Sequence, residues 1–205
     1  MARDLSAVRD KSAPNEELKS KIGPAAAAAV LALSAFVAGC GAEHPKSAAT
    51  HSQFRVALAG APAPLKKLYS QENQVLDGGP SRFKRQLRAL RGYPVVVNKW
   101  ASWCGPCRVE FPFFQDLART RGRRIAFLGV DSLDDRDDAI GFLRRFPVPY
   151  PSFFDPDGHI ARLFRGDRAS PATAFYDRNG SLVVTKQGQY SSKQALAGDI
   201  TRYAR

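Results

Sequence analysis

The chain has 205 residues, 44% hydrophobic, 10% aromatic and 24% charged, which is enough apolar content to bury a core and excludes a fully disordered protein. The absence of a Gly-X-Y period excludes a collagen-like rod. The 31 Lys+Arg against 19 Asp+Glu leave a net charge of +12, and three cysteines are too few for a disulfide-stapled scaffold or a thiolate-only zinc site.

Residues 1–21 are polar and mixed in charge. Pro24 is followed by Ala25 to Ala38, an apolar run broken only by Ser34. That run is short for a membrane span and of the right length for the hydrophobic region of an export signal. Lys19 and Lys21 lie on its N-terminal flank, the side retained in the cytoplasm. It ends Val37-Ala38-Gly39-Cys40, which resembles the lipobox of bacterial lipoproteins and implies cleavage before, and acylation of, Cys40. The alternative is an uncleaved N-terminal membrane helix; both place the rest of the chain outside the cytoplasm, tethered to the bacterial cell membrane. The expected organisation is therefore an export signal over 1–39, a tether over 40–52 and one domain over 53–205.

Without residues 1–39 the net charge is still +11. A basic body is drawn to an anionic membrane or wall. No nucleic-acid motif accompanies the charge, so no nucleic-acid partner is expected.

Within the domain, Leu65–Leu76 and Ser81–Leu90 predict helices separated by Asp77-Gly78-Gly79-Pro80. Arg82, Lys84, Arg85, Arg88 and Arg91 form a solvated face opposite Phe83, Leu87 and Leu90. Tyr93–Trp100 reads as a buried strand, and a helix follows from about Pro106 to Arg119 with Pro112 inside it. Arg124–Val130 is a second apolar strand. Asp134, Asp135, Asp137 and Asp138 open the next helix, where acidic residues complement the helix dipole and need no metal. Tyr150–Phe154 predicts a short strand, His159–Phe164 a short helix, and Thr173–Asp177 with Leu182–Lys186 a hairpin around Asn179-Gly180. Ser191–Tyr203 is a closing helix. The pattern is α/β, a mixed central sheet flanked by helices.

The chemistry lies in Trp100-Ala101-Ser102-Trp103-Cys104-Gly105-Pro106-Cys107, where a buried strand ends and a helix begins. Cys104 falls at the helix N-terminus, where free N–H groups and the dipole favour a thiolate. Cys107 is one turn on, placed to resolve a mixed disulfide formed by Cys104. A structural disulfide across two residues closes too small a loop to stabilise much. A zinc site lacks ligands, because His44, His51 and His159 have no ligand spacing, and no metal is expected.

These residues resemble the thioredoxin superfamily, and more closely its TlpA/ResA-like membrane-anchored thiol–disulfide oxidoreductases. The resemblance covers about residues 54–203. It is strongest over residues 100–112, with a second match at Ser170-Pro171-Ala172-Thr173. It implies a thioredoxin-like fold carrying an N-terminal helical extension and a helix–strand insertion over Asp131–Phe164. It also implies a cis Pro171 facing the dithiol, with Trp103, Gly105, Pro106, Ser170 and Pro171 lining the substrate site. Asn98 stands where plain thioredoxins carry a buried Asp. Glu110 matches the branch's own acidic position and should lean back over Cys107 to tune the thiols. Lys99 departs from the pattern: an ammonium in a buried strand must reach an edge or a partner.

The implied function is reduction of disulfides in protein clients, as in cytochrome c maturation or metal-centre assembly. It would use the Cys104–Cys107 disulfide as its only redox group, without a cofactor, and a membrane electron donor to restore the dithiol. The alternatives are a chaperone or metal-carrier module that holds clients by its dithiol without turnover, and, more remotely, a peroxiredoxin-like peroxidase.

Overall fold

The computed structural model describes residues 51–205; the export signal, Cys40 and most of the expected tether lie outside them. The first described element is a helix, α1 (His51–Leu58), so the last two residues expected in the tether are helical. Then come α2 (Ala63–Tyr69), β1 (Val75–Leu76), α3 (Gly79–Ala89), β2 (Val95–Trp100), α4 (Gly105–Arg121) and β3 (Ala126–Ser132). The chain continues through α5 (Arg136–Arg145), β4 (Ser152–Asp155), α6 (His159–Leu163), β5 (Ala172–Tyr176), β6 (Leu182–Gln187) and α7 (Lys193–Tyr203).

The six strands form one mixed sheet in the order β1-β4-β3-β2-β5-β6. The first four run parallel, and β5 and β6 are antiparallel to them. This is the thioredoxin-like α/β architecture expected, with α5, β4 and α6 in the segment where a helix–strand insertion was expected, and α1, α2, β1 and α3 where two helices were expected before Tyr93. Every residue of β2 and β3 is buried, as their apolar runs require of central parallel strands.

Side chains alternate between the two faces of the sheet. Val96, Asn98 and Trp100 face α4 and α5, where Trp100 packs edge-on to Phe111 and stacked on Phe142. On the other face, Phe153 of β4 meets Phe83 of α3, which also packs against Phe164 after α6. Gly129 lets the sheet close under Trp100. A Cβ there would lie 2.0 Å from the Ser152 Oγ, which accepts the Trp100 indole N–H at 3.1 Å.

One expected helix is shorter than its periodicity suggested. The segment Leu65–Leu76 leaves helix at Tyr69, turns through Asn73 at φ 60°, and enters β1 beside β4. Asn73 holds that turn from both ends of its amide: Nδ2 donates to the Leu143 carbonyl at 3.1 Å and Oδ1 accepts from the Val148 N–H at 3.0 Å. These partners lie 70 or more residues away, so tertiary contacts override the local helical pattern.

Candidate active site

The sheet delivers the dithiol. Strand β2 runs buried to Trp100, the chain turns over Ala101–Trp103, and Cys104 becomes the N-cap of α4. Its Sγ accepts the Cys107 N–H at 3.2 Å, so one of the unpaired donors of the helix start is directed at that sulfur. Gly105 and Pro106 form the first turn, where Pro costs nothing because its missing N–H has no partner to lose. Cys104 and Cys107 are joined in a disulfide, S–S 1.97 Å with Cα atoms 5.3 Å apart. Both are buried, at 2% and 0% exposure. In this oxidised form the position on the helix, rather than accessibility, distinguishes the two sulfurs.

The Ser170–Pro171 peptide is cis. Lys99 of β2 pairs with Ala172 of β5, so Pro171 stands one residue beyond that pair, at the end of β2 that leads to Cys104. The Pro171 carbonyl accepts from the Gly188 N–H at 2.9 Å. On the other side of the disulfide, Trp103 is 59% exposed and its indole N–H donates to the Leu133 carbonyl at 2.9 Å. Leu133, at φ 60° and 54% exposed, extends this apolar surface.

Glu110 is fully buried. Its expected lean toward Cys107 gives no hydrogen bond to either sulfur: Oε2 accepts the Tyr190 N–H at 3.0 Å, tying α4 to the segment before α7. Burial pushes the carboxyl up to about 7, while the Tyr190 hydrogen bond and the Lys186 charge pull it down. Its Oε1 has no direct protein hydrogen bond, nor have the Asn98 amide, the Tyr150 hydroxyl and the Thr173 hydroxyl. Asn98 and Thr173 are cross-strand partners, and Tyr150 senses both the Asn98 dipole and the Glu110 charge. Buried polar groups therefore interrupt the apolar core on the α4 side of the sheet.

Three charged residues here have surroundings that the sequence did not disclose. Asp134 grips the turn before Cys104, accepting from the backbone N–H and, at 2.7 Å, the hydroxyl of Ser102. Its neighbours behave as acidic residues at a helix start: Asp135 caps α5 by accepting from the Asp137 and Asp138 N–H groups. Below Asp134, Asp131 is fully buried; burial first, and then the Asp134 and Asp155 carboxyls, push it up to about 9, so it is neutral at pH 7. Lys99, the residue out of pattern, is also buried, and its Nζ donates to the Ala169 carbonyl at 2.9 Å and the Ser170 Oγ at 2.6 Å. Among the described residues no group of three His, Cys, Asp or Glu is placed to hold a metal ion.

A family model described as the AhpC/TSA family matches residues 60–185. The chain is 36% identical over 138 residues to the thiol:disulfide interchange protein DsbE of Escherichia coli (strain K12), covering 67% of this chain and 69% of that protein. It is 32% identical over 105 residues to the thiol-disulfide oxidoreductase ResA of Oceanobacillus iheyensis, covering 50% and 54%. Among solved structures, MTB DsbF aligns with a TM-score of 0.52 at 30% identity, covering 56% of this chain and 84% of that one. A candidate DsbE from Chlorobium tepidum aligns at 0.51 and 33%, covering 57% and 83%. A cysteine pair closed at the start of α4, on a thioredoxin-like sheet that these relatives share, makes the assignment: the chain belongs to the AhpC/TSA family and is a thiol–disulfide oxidoreductase of the DsbE and ResA kind.

Proposed function

We propose that this oxidoreductase reduces disulfides of protein clients on the outer side of the cytoplasmic membrane. The observation that carries the reading is Cys104 at the cap of α4, with a helix N–H on its sulfur, Cys107 within bonding distance and a cis proline at the adjoining strand end. In the reduced protein the helix start stabilises the Cys104 thiolate. That thiolate attacks one sulfur of the client disulfide, forming a mixed disulfide and releasing the other client sulfur as a thiolate. Cys107, as thiolate, then attacks the Cys104 sulfur and releases the second client thiol. The client gains two electrons, and the protein is left in the disulfide form described above.

Trp103, Gly105, Pro106, Ser170 and Pro171 frame the place where an extended client segment would lie, and Glu110 is the nearby carboxyl able to exchange a proton at neutral pH. No group beyond the dithiol is needed, but an upstream membrane dithiol donor must restore it. The apolar run ending at Gly39-Cys40 supports export and a lipid anchor on Cys40, and the sequence resemblance supports clients such as the haem-binding cysteines of apocytochrome c.

The test is reduction of insulin disulfides. Catalytic turnover that disappears in Cys104→Ala supports the enzyme. Stoichiometric capture without turnover assigns a holding module instead, and peroxide consumption that survives Cys107→Ala assigns a peroxidase.

A further inference from the structure

We propose that Lys99 is a positioning residue for client binding, an ammonium placed behind the cis-proline segment to hold Ser170 in the geometry that the client meets. This inference rests on the client reading above. A lysine within a buried strand is costly, since an ammonium taken out of water needs hydrogen-bond acceptors or opposite charges. Lys99 is 2% exposed, and its two nearest acceptors, the Ala169 carbonyl and the Ser170 Oγ, both belong to the three residues that end at cis Pro171.

The placement follows from the sheet. Lys99 faces away from α4, on the side of Val95 and Val97, so its charge is directed behind the client edge and not at the disulfide. In register it opposes Ala172, the first residue after the proline. The small Ala172 leaves room for the lysine stem to run beside it and reach back two residues. Burial is the larger effect and lowers the ammonium's pKa, while the Asp155 and Asp167 carboxylates oppose that shift. Asp155 is itself fixed, accepting from the Ile160 and Ala161 N–H groups and the Ser132 hydroxyl. The 169–170 segment lies in no helix or strand. Holding a loop in its bound geometry lowers the ordering cost of each encounter.

The test uses Lys99→Met, which keeps the stem and removes the ammonium, in steady-state insulin reduction. KM should rise about tenfold with kcat unchanged, the loss expected when hydrogen bonds to one charged group disappear. The pH profile of Cys104 alkylation should stay as in the wild type. Backbone amide exchange at Ser170 and Ala172 should accelerate about tenfold, a readout independent of turnover. A wild-type KM with wild-type exchange overturns the proposal. So does a shifted alkylation profile, because Lys99 would then act as a field on the thiol. Should Lys99→Met fail to fold, Ser170→Ala, which removes one of the two bonds, should raise KM about threefold; an unchanged KM in that variant overturns the proposal as well. A wild-type protein that captures insulin without turning it over would sink the enzymatic reading, while the exchange measurement still decides the role of Lys99.

Discussion

Replacing Glu110 by Gln removes a buried charge while keeping an oxygen for the Tyr190 N–H. Glu110 is fully buried, and its carboxyl rises from the ordinary 4.5 to about 7. That rise corresponds to about 3 kcal/mol of preference for the neutral acid in the folded protein. The sign follows from proton binding: between pH 4.5 and 7 the folded protein holds a proton that the unfolded chain has released. The carboxyl's contribution is therefore complete below about pH 4.5 and is lost as pH rises through about 7. Gln is neutral throughout. The variant should gain on the wild type with rising pH, by about 3 kcal/mol at pH 8.5 relative to pH 4.5, or about 6–12 °C in Tm for a domain of this size. Urea unfolding of both proteins, kept oxidised so that neither cysteine titrates, measures the difference. Asp131 is present in both and cancels. A stability difference that stays constant between pH 4.5 and 8.5 would refute the reasoning.

Two further perturbations test how the site is supported. Asp134→Ala removes the acceptor that holds both the N–H and the hydroxyl of Ser102; it should cost about 2 kcal/mol in urea unfolding, and a change below about 0.5 kcal/mol would show that the turn before Cys104 holds itself. Gly129→Ala sets a methyl 2.0 Å from the Ser152 Oγ and 3.0 Å from the Trp100 Nε1; it should destabilise by about 2–3 kcal/mol, and a neutral result would contradict the packing of Trp100 over β3.

The W-C-G-P-C motif at a strand–helix junction was enough to place the dithiol, because the unpaired donors of a helix start are a local property of the chain. The cis proline was legible only through its pairing with that motif. Elements with strong patterns, such as β2, α4 and the Asn-Gly hairpin, appear within a few residues of their expected limits. The segment Leu65–Leu76 does not, since its last residues form the edge strand β1, whose partner β4 lies far along the chain.

Local chemistry in the sequence thus determined the redox pair, its helix cap and the α/β class. Only the tertiary structure decided the partners of its buried charges. Lys99 finds its acceptors some 70 residues downstream, Asp134 turns from helix cap to clamp on Ser102, and Glu110 meets the Tyr190 N–H rather than a sulfur. A charge buried away from water must be paired or neutralised, and which group does so depends on contacts between distant segments that no local pattern encodes.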